Sequence, residues 1–224
     1  MDIVKEGMLV LDDWVSKRGN GKYIEPDFTP ADSLSLVEEY GIQQVREEIE
    51  EFAKAIVEKT EHKSILEIGF GFYGSTHFLW RKLFGKVYSL EIDGSKIKLF
   101  GKNTRDYYNK WILDDNRSFF IIGSSSNSVV TAKTFEALKE KVDVLFIDGD
   151  HHYHSVLSDW LLYSKLVKKG GIVAFHDPAC YDGGWLAVPK FLEKLKSGEI
   201  DGRTDRVFYE IIKSKMGIAY YIND

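Results

Sequence analysis

Cysteine is almost missing from this 224-residue chain: Cys180 stands alone, so no internal disulfide can form, and a reducing, cytoplasmic setting is the expectation. Proline is scarce, at four, and no stretch approaches the roughly 18 apolar residues that a membrane span requires. The opening run Met1-Asp2-Ile3-Val4-Lys5-Glu6 breaks its apolar residues with charge and does not read as a secretory leader. Positive charge is in deficit as well, with 30 Lys plus Arg against 35 Asp plus Glu and a net charge of -5. The phosphate-neutralising surface of a duplex binder is therefore not expected, and a small-molecule partner is. What is present is 44% apolar, 29% charged and 14% aromatic residues, a balance that suits a packed globule and excludes disorder.

Between Gln43 and Thr60 the apolar residues Val45, Ile49, Phe52, Ala53, Ile56 and Val57 recur at helical spacing. Glu47, Glu48, Glu50, Glu51 and Lys54 fill the opposite face, which reads as solvated. Residues 1–42, broken by Pro26, Pro30 and Gly19-Asn20-Gly21, read as an irregular arm with short helices. The expected division is an N-terminal helical arm over 1–62, part of the same domain, and a core over 63–224.

From Ser64 the pattern changes to short apolar runs ending in small or acidic residues: Ile65–Ile68, Val87–Leu90, Phe119–Ile122, Val142–Ile147 and Gly171–Phe175. Each gap leaves room for a crossover helix, which predicts five parallel strands with helices on both faces, a doubly wound α/β sheet. Before the fifth strand, Val156, Leu157, Trp160, Leu161 and Val167 predict a helix ended by Gly170-Gly171. A further helix is predicted over Val188–Leu195. The runs Arg206–Ile212 and Gly217–Ile222 lie too close together for a crossover and must pair as an antiparallel hairpin.

Gly69-Phe70-Gly71-Phe72-Tyr73-Gly74 follows the first strand and precedes the helix that begins near Ser75-Thr76, so ligand and backbone can approach at a helix N-terminus. Glu91 closes the second strand, where a carboxylate can accept from a ribose diol. Nicotinamide dehydrogenases satisfy this much. The strand ends also carry Glu67, Asp93, Asp148, Asp150 and Asp177, however, an acidic edge that repels a pyrophosphate and suits a cationic, phosphate-free ligand.

On these residues and the terminal hairpin the chain, over roughly 63–223, resembles the class I S-adenosylmethionine-dependent methyltransferases. Leu66-Glu67-Ile68-Gly69, Gly74-Ser75-Thr76 and Ile147-Asp148-Gly149-Asp150-His151 are similar to the small-molecule O-methyltransferases of catechol and macrolide-sugar type. The resemblance implies a Rossmann-like, mostly parallel seven-stranded sheet with a C-terminal antiparallel hairpin, and an enzyme methylating a hydroxyl of a sugar or phenol. It places Glu67, Gly69, Gly74 and Ser75 by the methionine part of S-adenosylmethionine and Glu91 on the ribose, with Gly71 and Asp148 also among the cofactor-binding residues. Ser125 and Ser126 would lie by the adenine, with a helix cap as their other reading.

Asp148 and Asp177 end neighbouring strands and can converge on one divalent cation, Mg²⁺ in the resembled enzymes, which lowers the pKa of a bound hydroxyl. His151, the third residue after Asp148, falls where those enzymes place a general base. His176 stands where sugar-type relatives have an acid, so either it joins Asp148 and Asp177 as a ligand and widens the choice to Mn²⁺, Fe²⁺ or Zn²⁺, or it positions substrate. Amino-directed DNA methyltransferases carry Asn/Asp-Pro-Pro-aromatic after the fourth strand, which Asp148-Gly149-Asp150-His151 does not match. His152 and His154 are read as surface or substrate-facing residues, and Trp80, Trp160 and Trp185 as packing residues.

Overall fold

A computed structural model describes residues 2–27, 40–97, 104–180 and 187–224. Seven strands form one sheet: β1 (Ser64–Ile68), β2 (Lys86–Glu91), β3 (Ser118–Ile122), β4 (Val142–Ile147), β5 (Val167–His176), β6 (Phe208–Ile211) and β7 (Ile218–Ile222). Their spatial order is β3-β2-β1-β4-β5-β7-β6. The first five are parallel and the last two antiparallel, as the hydrophobic runs predict. The order reverses between β1 and β4, so the crevice outside their C-terminal ends is where a sheet of this kind receives a ligand.

The helices in chain order are α1 (Ile3–Val15), α2 (Arg46–Lys59), α3 (Ser75–Leu83), α4 (Arg105–Trp111), α5 (Ser128–Leu138), α6 (Tyr153–Tyr163) and α7 (Val188–Lys196). Two apolar clusters lie on opposite faces of the sheet. One joins Phe52 and Ile56 of α2 to Ile65, Val144, Phe146 and Ile172; the other joins Trp160 and Phe191 to Leu66, Leu145, Val173 and Phe175. Both faces of β4 are therefore dry, which is why its run from Val144 to Ile147 is continuously apolar rather than alternating. Trp80 and Trp160 pack in these layers, and their indole N–H groups donate to Glu67 and to the Tyr221 hydroxyl. Trp185 lies outside the described residues. Among those residues no helix is long and apolar enough to cross a membrane.

Three local expectations change. Residues 3–15, within the stretch read as an irregular arm with short helices, form one 13-residue helix capped by Asp2 and buried through Val4, Met8, Leu11 and Val15 against α3. The helix predicted through Val167 ends at Tyr163. Val167 already pairs with Val142, and the next pair is Val144 with Ile172, so Lys168-Lys169-Gly170-Gly171 forms an irregularity within β5, not a helix end. Asp143 explains this: its carboxylate accepts from the backbone N–H groups of Lys63 and Ser64 and from Lys168 Nζ, drawing strand β5 in early. Finally, Glu48 on the supposedly solvated face of α2 is buried and accepts from the backbone N–H groups of Lys213 and Gly217. Gly217 in turn accepts from the N–H of Asp177, so α2 and the hairpin turn brace the end of β5.

Candidate active site

Two adjoining cavities open at the C-terminal edge of the sheet and share Gln43, Gly69, Gly71, Asp148 and Gly149. The larger, about 350 Å³, is walled by Leu90, Glu91, Ile92 and Lys96 after β2, by Gly123–Ser126 after β3, and by Asp150, Ser155 and Asp159 after β4. The smaller runs over Gly69–Thr76 and takes in Tyr40–Gln44 and His151. Gly69 shapes the wall between them. Its φ is 95°, and a Cβ there would stand 1.9 Å from the carbonyl oxygen of Asp148. Only glycine lets β1 and β4 close on each other at this level.

Glu91 is 4% exposed and lies on the larger cavity, accepting from the N–H groups of Phe70 and Asp93 and from Lys96 Nζ. Ser124, Ser125 and Ser126 line the same cavity. The cap of α5 is made by Asn127, which accepts from Val129 and Val130 N–H, so capping does not account for the serines. Gly74 and Ser75 line the smaller cavity at the start of α3, with the Ser75 hydroxyl donating to the carbonyl of Gly41.

Glu67 sits elsewhere. It is fully buried beneath the glycine loop, lines neither cavity, and accepts from Thr76 Oγ1 at 2.5 Å, Trp80 Nε1 at 2.8 Å and Ser89 Oγ at 2.9 Å. Ser89 also meets the Nδ1 of buried His77, whose Nε2 reaches the Tyr108 and Ser118 hydroxyls. Burial pushes the Glu67 carboxyl up to about 7, against the lowering effect of its three donors. Because this folded value lies above the ordinary carboxylate value, the contribution to stability is complete below about pH 4.5 and is lost as pH rises to about 7. Glu67→Gln should therefore gain on the wild type over that interval by on the order of 3 kcal/mol. Urea unfolding at pH 5 and pH 8 measures this, and a difference independent of pH would contradict it.

The chemical end lies where β4 and β5 stop. Ile147 pairs with Phe175, which brings Asp148 level with His176 and leaves Asp177 one residue beyond. His176 Nδ1 lies 3.0 Å from Asp148 Oδ1 and 3.2 Å from Asp177 Oδ1, and His151 Nδ1 lies 2.9 Å from Asp177 Oδ2. His151 Nε2 is 3.4 Å from Asp148 Oδ1. These contacts are close in distance but poorly aligned. His151 Nε2, both nitrogens of His176 and Asp177 Oδ1 are buried with no well-directed hydrogen bond among the described residues. Asp177 has φ 62°, a left-handed turn for a residue with a side chain, and this strain marks the strand end.

Burial disfavours charge on both imidazoles, but Asp177 and Asp148 override it and raise His151 to about 10; the same two carboxylates raise His176 to about 9. Against the opposing effect of burial, His176 and His151 hold both aspartates below the ordinary carboxylate range. Two carboxylates and two imidazoles thus balance with two protons, and a divalent cation supplies the same charge. Donor atoms of Asp148, His151 and His176 lie within 4.8 Å of one another, so the set that fits an ion contains His151, where the sequence expects Asp177. Asp177 instead faces both rings.

Two polar residues on the walls of these cavities were not legible in the sequence. Gln44 is 2% exposed and donates through Nε2 to Asp148 Oδ2 at 2.7 Å. Asp159 lines the larger cavity from α6. Gln44 belongs to a stretch with no motif, and Asp159 sits inside a helical pattern where an acid reads as a solvent-facing residue. Asp150 caps the turn into α6, accepting from the N–H of His152 and the Ser155 hydroxyl. Cys180 is buried, and Tyr181 lies outside the described residues.

A family model described as a methyltransferase domain matches residues 66–178. Three solved structures share the fold. A Staphylococcus aureus protein assigned as a caffeoyl-CoA O-methyltransferase is 19% identical, with 86% of this chain and 90% of that chain covered and a TM-score of 0.60. The MycE methyltransferase of mycinamycin biosynthesis, bound to Mg and SAH, is 19% identical, with 89% and 55% covered and a TM-score of 0.57. An rRNA methylase from Streptococcus thermophilus is 16% identical, with 79% and 96% covered and a TM-score of 0.54. In sequence, an uncharacterized protein of Acanthamoeba polyphaga mimivirus, R132, is 50% identical over 67 residues. That match covers 29% of this chain and 30% of the mimivirus protein, so the chain spans under a third of that relative.

Proposed function

The chain belongs to the methyltransferase domain family and is an S-adenosylmethionine-dependent methyltransferase; from that premise we propose that it methylates a hydroxyl of a small molecule, a sugar or a phenol, with the help of a divalent cation. The observation that carries this reading is the cluster of Asp148, His151, His176 and Asp177 at the ends of β4 and β5, beside the glycine loop. The larger cavity suits the nucleoside, with Glu91 as acceptor for the ribose hydroxyls and Ser125 and Ser126 alongside the base. Gly69, Gly71, Gly74 and the start of α3 then face the methionine part. A carboxylate-rich mouth favours the sulfonium over any phosphate-bearing cofactor.

Asp148 and His176 are the proposed ligands of the cation, and the two unsatisfied buried nitrogens of His176 support the fit. When bound, the cation would lower the pKa of a substrate hydroxyl and favour its alkoxide or phenolate. His151 is the proposed base, its ring neutral once a bound cation supplies the positive charge that Asp148 and Asp177 otherwise hold on it as a proton. Asp177 lies 2.9 Å from its Nδ1, placed to orient the ring as in other acid–histidine pairs, and Nε2, buried beside Asp148 with no well-directed bond, is the nitrogen proposed to take the hydroxyl proton. Gln44 holds Asp148 from the arm side, and the nearby Tyr40–Gln43 wall closes the smaller cavity over the acceptor.

The test is transfer of a labelled methyl group from S-adenosylmethionine to a panel of sugars, phenols, amines and RNA, run in EDTA and then with Mg²⁺ or Mn²⁺ restored. Transfer to hydroxyls that stops in EDTA and returns with the ion, while binding of S-adenosylhomocysteine is unaffected, is the expected result. Full turnover in EDTA would remove the cation from the reaction. Transfer confined to amines or RNA would overturn the acceptor class.

A further inference from the structure

The larger cavity holds a buried carboxylate that the Ser125 side chain meets on one side and that keeps one oxygen without a partner among the described residues. Asp159, in the middle of α6, is 2% exposed, lines this cavity, and its Oδ1 has no hydrogen-bond partner among the described residues. A buried carboxylate oxygen left without a donor is costly, so such an atom in a ligand cavity marks the place of a donor that arrives with the ligand.

Its neighbours on that wall are already engaged. The Ser125 carbonyl accepts from the Tyr163 hydroxyl at 2.7 Å and from Thr131 Oγ1 at 3.1 Å, and the Ser124 and Ser126 hydroxyls pair with each other at 2.9 Å. Across the cavity Ile68, Leu90 and the exposed Ile92 offer an apolar surface that suits a flat ring. Resting on the reading that this cavity takes the nucleoside of S-adenosylmethionine, we propose that Asp159 accepts from the exocyclic amine of the base and so selects adenine over purines that carry an oxygen at that position. The acceptor lies on the β4 side of the cavity, whereas Glu91 closes β2, so the two carboxylates divide the nucleoside: one reads the sugar and the other the base. Burial raises the Asp159 carboxyl to about 6, partly offset by Ser125, which leaves it ionised and acceptor-only at neutral pH.

The experiment compares S-adenosylhomocysteine with its hypoxanthine analogue, S-inosylhomocysteine, by calorimetric titration of the full chain. The wild type should bind the adenine form about 10- to 100-fold more tightly, the range of a hydrogen bond to a charged group. In Asp159→Asn, whose amide can present either a donor or an acceptor, the ratio should fall to within about threefold. Asp159→Ala should lose affinity for the adenine form and show no preference, which covers the case of an Asn variant that does not fold. Equal binding of both ligands by the wild type, or full preference retained in either variant, overturns the role of Asp159 while leaving the cavity's ligand in place. Binding of neither ligand to the wild type overturns the cofactor assignment itself, and this proposal with it.

Discussion

His151→Ala is expected to lower turnover by about 10²- to 10⁴-fold, the range for loss of a positioned general base, with affinity for S-adenosylhomocysteine nearly unchanged. The separation follows from geometry. His151 lines the smaller cavity with Nε2 free of any well-directed bond, while the nucleoside contacts proposed for Glu91 and Asp159 belong to the larger cavity. Asp177→Asn should produce a smaller loss, because it weakens the hold on Nδ1 without removing the ring. Free imidazole should restore part of the His151→Ala rate if proton transfer is the missing step. The same variant decides between the two readings of His151, since its nitrogen also lies in the group of donors that fits an ion. A variant that binds Mn²⁺ as the wild type does but turns over slowly supports the base. Weakened Mn²⁺ binding would make His151 a ligand, and undiminished turnover would exclude it from both roles.

Gly69→Ala is expected to lower the melting temperature by roughly 5 to 15 °C. Its φ of 95° strains any residue with a side chain, and the added Cβ would meet the backbone carbonyl of Asp148 at 1.9 Å, an atom that no rotamer can move. Strain of this kind costs about 1 to 3 kcal/mol before the clash is counted, and each kcal/mol corresponds to about 2 to 4 °C for a chain of this size. Gly71→Ala is the control: φ is 69° there, but nothing lies within 4 Å of the added carbon, so only the backbone strain remains. Scanning calorimetry of both variants measures the difference. An unchanged transition in Gly69→Ala would mean that the β1 and β4 ends can separate freely, and the shared wall of the two cavities would lose its rigidity as an explanation.

Much of the scaffold was legible in the amino-acid order. The five apolar runs after Ser64 became five parallel strands, because strands of a sheet covered on both faces need nearly continuous apolar runs and each gap was long enough for a crossover. The short joint around Lys213–Met216 permitted only an antiparallel pair, and β6 and β7 pair that way. Where the reading slipped, a long-range polar contact decided the outcome. Asp143 recruits Lys168 and starts β5 before Gly170-Gly171, and Glu48 turns an apparently solvated helix face into a clamp on the hairpin.

The candidate site divides along the same line. The order of residues placed Asp148, His151, His176 and Asp177 at strand ends, since a run of apolar residues that stops at an acid marks the edge of a sheet. It could not say which of them touch, because that depends on the register of β4 against β5, where the pairing of Ile147 with Phe175 brings His176, not Asp177, level with Asp148. Nor could it separate Glu67 from Glu91. Both lie at or next to the end of an apolar strand, yet one is consumed by Thr76, Trp80 and Ser89 beneath the loop and the other lies on a cavity. Gln44 and Asp159 carry no motif at all, and their meaning arises only when α1, α2 and α6 are packed around the sheet. Periodicity and strand-end chemistry are local in the chain and can be read there; the partner of a buried polar atom is fixed by packing between distant segments, and only the folded molecule determines it.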